Sequence, residues 1–171
     1  IEDAIKEFEG YKNYFSDVFI EKPIGDYYKF KVNYLLKRPI WREIIISHDQ
    51  TLCDLADKII HSMDWDNDHM HGFDFPFKRG KLTEWYISPY TIYAPGWEDD
   101  PFPTYKSNQI KVGEIDLVKF SKIRFTFDYG DNHEFDVLYQ GTTKLLKGVD
   151  FKDLPITIDQ RGVAPEQYPP C

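Results

Sequence analysis

The sequence predicts a single α+β domain: a mostly antiparallel sheet packed with one or two helices, with an N-terminal amphipathic helix in front. Its 171 residues fit one domain. The apolar period is three to four residues at the start of the chain and changes to two from Tyr28 onward. Two alternating segments are each followed by a short turn, as in antiparallel hairpins. We therefore divide the chain into a helical appendage, residues 1–26, and an α+β domain, residues 27–171.

The composition restricts the class of protein. Lys and Arg number 21 against 29 Asp and Glu, a net charge of −8, which disfavours broad contact with nucleic-acid phosphates. Cys53 and Cys171 form neither a disulfide framework nor a paired-cysteine metal site. Residues 1–10 are charged throughout and no apolar run is long enough to span a bilayer. We expect a cytoplasmic protein without membrane contact.

The N-terminal segment Ile1–Phe19 has apolar residues at every third or fourth position, which predicts an amphipathic helix. Such a helix packs on its own domain or on a partner. Homo-oligomerisation through this helix is one expectation.

The next segments alternate and then return to helical spacing. Tyr28–Leu36 predicts a strand, and Ile40–Ser47 predicts a second strand antiparallel to it. Thr51, followed by Asp54, predicts the start of a helix with an apolar stripe up to Met63.

The second half of the chain predicts more strands. His69–Phe75 and Tyr86–Tyr93 are candidates, the latter inside a Pro-, Gly- and Trp-rich stretch, Pro76–Pro103, that is typical of a binding loop. Ile123–Tyr129 and Phe135–Tyr139 predict a hairpin. The proline-rich tail, Pro155–Cys171, is expected to lie over the sheet as an ordered strap.

The hairpin has two possible three-residue loops. A loop of Gly130–Asn132 suits the turn, because Asn132 tolerates the left-handed conformation, but it sets Asp128 opposite Glu134. A loop of Tyr129–Asp131 pairs Arg124 with Asp136 instead. We favour the first loop on turn chemistry.

Two clusters carry metal-binding residue types. In the first, Asp66, Asp68, His69 and His71, the two histidines would point the same way on a strand, as two metal ligands should. The alternative, which we favour, is that these histidines lean into the core beside Phe73. In the second, Asp128, Asp131, His133 and Glu134, opposed carboxylates favour a cation between them, but a polar turn that caps its own amides is the commoner case.

A third segment, Arg161–Gln167, contains Glu166, whose partner is either Arg161 or the sheet. No phosphate loop, nucleophile elbow, dinucleotide fingerprint or kinase signature occurs in the chain.

Several motifs in order resemble the plasmid pRi ORF-three-like family. They are YKFKVNYLLKRPIW at 28–41, WDNDHMHGF at 65–73, FDYGD at 127–131 and GVAPE at 162–166, and the likeness covers about Tyr27 to Gln167. Two positions depart from the family pattern: no Trp follows Asp131, and the closing segment lacks its Cys and its last Asp. The resemblance implies an α+β domain with an antiparallel sheet, carried on plasmids and insertion elements, without a settled biochemical function.

We therefore favour a non-enzymatic binding or accessory domain, linked to mobile genetic elements, that recognises an unidentified protein or nucleic-acid partner and needs no cofactor. The alternative is a metal-dependent hydrolase or phosphoesterase with a divalent ion on His69, His71 and Asp131. The candidate functional surface consists of Trp65, Asp66, Asp68, His69, His71, Asp128, Asp131, His133 and Glu166.

Overall fold

The structure is a computed structural model that describes residues 17–79, 82–84, 91–96 and 105–168, with the backbone alone for 77–79 and 82–84. Most of the predicted N-terminal helix and much of the Pro76–Pro103 stretch lie outside the described residues. The N-terminal appendage and an oligomer built through it therefore stay predictions.

The described residues form one antiparallel sheet of seven strands with one α-helix. The predicted antiparallel sheet is thereby confirmed, although the described part is mostly β. The elements are β1 (Tyr27–Tyr34), β2 (Trp41–Ser47), α1 (Leu52–Ser62), β3 (His71–Asp74), β4 (Phe77–Arg79), β5 (Leu82–Glu84), β6 (Thr91–Tyr93), β7 (Lys122–Phe127), β8 (His133–Thr143) and β9 (Ile156–Arg161). The strand order in the sheet is β6-β3-β7-β8-β1-β2-β9, and strands β4 and β5 make a separate two-stranded ladder.

The first two strands and the helix form as the sequence predicts. β1 alternates between half-buried and buried residues along its whole length, and it pairs antiparallel with β2. At the start of α1, Thr51 accepts the amide of Asp54 and the Asp54 carboxylate accepts the amide of Thr51, a complete capping box. The buried stripe of α1 packs with the core-facing side of the sheet.

The chain joins this core ahead of β1. Val18 is fully buried, its carbonyl accepts the amide of Asp116 at 2.8 Å, and the Phe19 and Tyr105 rings meet edge to face. The segment before Asp116 contains short 3-10 turns, Ser107–Gln109 and Val112–Glu114, that cover the same side of the sheet as α1.

The loop of the β7–β8 hairpin differs from the favoured prediction. Arg124 pairs with Asp136 and Phe127 with His133, so the loop is Tyr129–Asp131 and not Gly130–Asn132. This register avoids the opposed carboxylates and brings Arg124 Nη2 to 3.2 Å from Asp136 Oδ1. Asn132 still takes the left-handed conformation, at φ 51°.

The tail contains a strand that the sequence analysis missed. β9 pairs antiparallel with β2 and forms an edge of the sheet. Arg42 of β2 is buried on the core side, where its guanidinium donates to the carbonyls of Ser62, Trp41, Arg161 and Gly162. Arg42 therefore ties the C-terminal end of α1 and the segment after β9 to β2, the strand next to the edge of the sheet.

Candidate functional site

Two segments that the sequence analysis singled out lie next to each other. Because β3 pairs antiparallel with β7, the chain that enters β3 runs beside the chain that leaves β7. The Asp128 amide donates to the Met70 carbonyl at 2.9 Å. His69 Nε2 lies 3.5 Å from Asp128 Oδ2.

The hairpin tip is held by the Asp128 carboxylate. Asp128 is 5% exposed, takes a positive φ of 60°, and accepts the amides of Gly130 and Asp131 on Oδ1. This is the amide-capping turn that the sequence analysis considered the commoner case. The other carboxylate oxygen of Asp128, Oδ2, faces His69.

His133 lies directly beneath this tip, on the core side of the sheet. It is 6% exposed, its Nδ1 is 3.0 Å from the Tyr34 hydroxyl, and its ring centroid is 4.2 Å from that of Trp65. Burial lowers the pKa of the imidazole, although the Asp131 and Asp128 carboxylates and the Gln167 backbone act on the ring to raise it. His133 Nε2 is buried and makes no hydrogen bond within the described part of the chain.

The segment after β9 covers these two loops. Trp65 Nε1 donates to the Pro165 carbonyl at 2.9 Å, and the Gln167 side chain bonds both the amide and the carbonyl of Asp66. Contacts across about 100 residues of sequence thus hold the loop before β3 in one conformation.

Tyr168 completes this arrangement. Its hydroxyl donates to Asp68 Oδ2 at 2.6 Å and lies 2.8 Å from His69 Nε2. The bond to Asp68 raises the pKa of Tyr168 to about 12, and it lowers the pKa of the Asp68 carboxyl. We call residues 65–69, 128–133 and 162–168 together the composite surface.

One group in the described residues has the geometry to hold a metal ion. Asp128, Asp131 and His133 each offer one ligand atom, and these atoms lie within 4.8 Å of one another. A nitrogen and two carboxylate oxygens are ligands that zinc and other first-row divalent metals accept.

His71, a ligand of the predicted metal site, is not part of this group. β3 begins at His71, so the alternation that placed His69 and His71 on one side does not extend to His69. His71 is 3% exposed and its Nε2 lies 2.8 Å from the Ser107 hydroxyl. Burial lowers the pKa of His71 to about 4. The favoured prediction of a hydrogen-bonded core histidine is confirmed for His71, whereas His69 is exposed.

The remaining predicted residues lie at the rim. Asp66, Asp131 and Glu166 are exposed. An open groove of about 560 Å³ runs from Trp65 and Asp66 along α1, where it is lined by further carboxylates, including that of Asp57. Asp57 accepts a hydrogen bond from the Asn67 amide group at 2.7 Å, and burial raises the pKa of its carboxyl.

Two residues of the site, Tyr34 and Tyr168, lie outside the three candidate segments, and Gln167 lies in the third segment but was given no role there. Tyr34 falls within the predicted first strand and is one of its buried residues, but its hydroxyl partner depends on β1 lying beside β8. Gln167 and Tyr168 carry no periodic signal. Only the folded path of the tail brings them to the loop before β3.

The comparisons with known proteins agree on the fold and name no activity. The sequence model of a family described as "Plasmid pRiA4b ORF-3-like protein" matches residues 26–168. The crystal structure of the protein of unknown function MM3350 from Methanosarcina mazei Go1 is similar, with a TM-score of 0.66 and 24% identity over 84% of this chain and 74% of that chain. No curated protein sequence matches the chain. None of the helices in the described residues is both long and apolar enough to cross a membrane.

Proposed function

The chain belongs to the plasmid pRiA4b ORF-3-like protein family, and from this premise we propose that it is a non-enzymatic binding or accessory domain that recognises a protein partner through the composite surface. The observation that carries the proposal is the convergence of three distant segments around Trp65. The family's plasmid name supports a link with mobile genetic elements. Location in the cytoplasm is proposed with it.

Preorganisation supports recognition at this surface. Gln167 and Tyr168 form hydrogen bonds with the loop before β3, and the Asp128 carboxylate fixes the hairpin tip by accepting backbone amides of the turn. A surface held in one conformation loses little entropy when a partner binds, so more of the contact energy appears as affinity.

The charge of the composite surface indicates the class of partner. Its sequence contains five carboxylates and two histidines but neither Lys nor Arg. The adjoining groove adds Asp54 and Asp57, with Lys58 as its basic residue. Such a surface repels phosphates and attracts cations, so we propose a Lys- and Arg-rich protein segment as partner instead of nucleic acid.

Fluorescence anisotropy tests this proposal. The probes are labelled 12-residue peptides of mixed Lys, Arg and Leu, the corresponding Glu peptide, and a 30-base-pair DNA duplex, each at low and physiological salt. We expect the basic peptides alone to bind, and the double variant Asp66→Asn/Asp68→Asn to weaken them about tenfold. The control, Asp26→Asn/Asp159→Asn, removes two exposed carboxylates elsewhere. Equal effects of both double variants, or preferential DNA binding, would contradict the proposal.

Metal-dependent phosphoester hydrolysis is the second candidate. It is supported by the 3.5 Å contact between His69 and Asp128, because the predicted hydrolase required these two segments to meet. A metal ion on these groups would supply a water of lowered pKa. Hydrolysis of bis(p-nitrophenyl) phosphate with Mn²⁺ or Zn²⁺, lost in Asp131→Asn, would support it. A hydrolysis rate equal to that of the free metal ion would contradict this second candidate function.

Self-association through residues 1–19 is a separate proposal. Sedimentation of the full chain tests it, and a monomer at high protein concentration would contradict it.

A further inference from the structure

We propose that the tip of the β7–β8 hairpin binds a divalent first-row metal ion through His133 Nε2 and one carboxylate oxygen each from Asp128 and Asp131. The inference goes beyond recognition of a partner and does not depend on it. Of the ligands His69, His71 and Asp131 predicted for the hydrolase, this site keeps Asp131 alone, and its other two ligands come from the second cluster that the sequence indicated.

The positions of the ligand atoms carry the first step. The three atoms lie within 4.8 Å of one another. Ligands at about 2.0–2.2 Å from a tetrahedral zinc ion are about 3.4 Å apart, so a small movement completes the set. Asp131 is exposed on the turn. Its side chain can therefore supply that movement by rotation, while Asp128 and His133 stay in place.

An independent observation points to a ligand. His133 is 94% buried, and its Nε2 makes no hydrogen bond within the described residues. A buried polar nitrogen left in this way is destabilising, and a coordinated ion would offset that cost. His133 belongs to the same group as the two carboxylates, Asp128 and Asp131.

The surroundings of His133 are those of a metal ligand. Its Nδ1 lies 3.0 Å from the Tyr34 hydroxyl, and in the tautomer in which Nδ1–H donates to Tyr34 the lone pair is on Nε2. Histidines that bind metals commonly donate their other ring nitrogen in this way, which fixes both the tautomer and the ring orientation. The Trp65 ring at 4.2 Å limits rotation of the imidazole further.

The two carboxylate oxygens of Asp128 make different contacts. Oδ1 accepts the Gly130 and Asp131 amides, and Oδ2 remains available toward His69. His69 Nε2 lies 3.5 Å from this oxygen but is not one of the three grouped residues, and its nearer partner is the Tyr168 hydroxyl at 2.8 Å. A shell of imidazole and carboxylate favours Zn²⁺, Mn²⁺ or Ni²⁺, because Ca²⁺ and Mg²⁺ prefer oxygen alone.

Isothermal titration of the full chain, stripped with chelator, with Zn²⁺, Mn²⁺ and Ca²⁺ tests the inference. We expect one Zn²⁺ or Mn²⁺ per chain and no Ca²⁺ at the same concentrations. Asp131→Asn, an exposed substitution that leaves the core intact, should weaken binding at least tenfold. Asp159→Asn is the matched control, because this exposed carboxylate lies on β9 outside the composite surface, and it should leave the affinity unchanged.

Two further variants test the role of the histidine. His133→Gln should abolish stoichiometric binding, with circular dichroism as the check on folding, whereas His61→Gln, an exposed histidine on α1, should have no effect. Tyr34→Phe should weaken binding about tenfold while keeping one ion per chain. Absence of stoichiometric binding up to millimolar metal, or an unchanged affinity in Asp131→Asn, would overturn the proposal. This titration measures metal binding alone. A failure of peptide recognition or of phosphoesterase activity would therefore not be mistaken for a failure of the metal-binding proposal.

Discussion

The indole of Trp65 and the imidazole of His133 lie against each other with ring centroids 4.2 Å apart. The same indole donates Nε1–H to the carbonyl of Pro165. Trp65 thus links the hairpin tip to the C-terminal segment, although neither neighbours it in sequence. Any ligand that moves one of these segments acts on the others through this ring.

Trp65→Phe tests that link. Phe keeps an aromatic ring beside His133 but cannot donate to Pro165, so we expect the free energy of unfolding to fall by about 1–2 kcal/mol. Hydrogen exchange of the Asp66 amide, which donates to Gln167, should accelerate. Trp41→Phe is the control, because Trp41 packs under Lys31 and away from this surface. Equal exchange of the Asp66 amide in both variants would show that the indole hydrogen bond does not hold the segment.

Local periodicity accounts for the part of the fold that the sequence predicted. β1, β2 and α1 each have a clear period and a capping or turn signal at their ends. β9 was missed because an edge strand needs few apolar residues, and Ile156–Arg161 contains two. The hairpin loop was misplaced because turn chemistry received more weight than the Arg124–Asp136 pair.

The candidate site was predictable in its pieces and not in its assembly. The clusters at 65–71 and 128–134 were recognised from their Asp and His content. Their meeting depends on β3 pairing with β7, a contact across about 50 residues that no local pattern indicates. For the same reason Tyr34, the partner of His133 Nδ1, could be assigned to the core but not to the site.

Asp136→Asn tests the electrostatic reason for the observed register. Asp136 is 8% exposed and lies within 3.3 Å of both Arg124 and Lys122. Loss of its charge weakens the ion pairs with the partly buried Arg124 and the exposed Lys122, and we expect a destabilisation of about 1–3 kcal/mol in urea unfolding. Glu43→Gln removes the more exposed Lys29–Glu43 pair and should cost less than about 1 kcal/mol. A Glu43 variant as unstable as the Asp136 variant would contradict this explanation.

His71 and Asp74 lie on opposite sides of β3, and their contributions to the free energy of unfolding depend on pH in opposite directions. Burial lowers the pKa of His71 to about 4, so below pH 6.5 the unfolded chain takes up a proton that the native chain does not. This contribution is complete above pH 6.5 and is lost as the pH falls toward 4. Burial raises the pKa of Asp74 to about 6, so the native chain keeps that proton longer. Its contribution is present near pH 3.8 and is lost as the pH rises to 6.

Urea unfolding of His71→Gln and Asp74→Asn between pH 4 and 7 separates the two effects. The free energy of unfolding of the wild type minus that of His71→Gln should decrease on acidification by an amount on the order of 2–3 kcal/mol. For Asp74→Asn the difference should increase on acidification, by an amount on the order of 2 kcal/mol. Two differences of the same sign would show that burial does not dominate at one of these positions.

A comparison of alanine substitutions at Gly162 and Gly148 tests how firmly the C-terminal segment is attached to the sheet. Their φ values are nearly equal, 83° and 85°, so alanine at either position meets the same left-handed backbone penalty of about 1–2 kcal/mol. They differ in surroundings. A Cβ at Gly162 would lie 2.4 Å from the Pro39 carbonyl oxygen, whereas a Cβ at Gly148 would meet nothing within 4 Å.

We therefore expect Gly162→Ala to cost at least about 2 kcal/mol more than Gly148→Ala in urea unfolding, because a backbone oxygen cannot move aside as a side chain can. The Gly162 carbonyl also accepts a hydrogen bond from Arg42, so a shift at this residue weakens the anchor of the whole segment. Limited proteolysis should then cleave after Arg161 faster in Gly162→Ala than in Gly148→Ala. Equal stability and equal cleavage in the two variants would mean that the segment adjusts without strain, and that the composite surface is less tightly fixed than its hydrogen bonds imply.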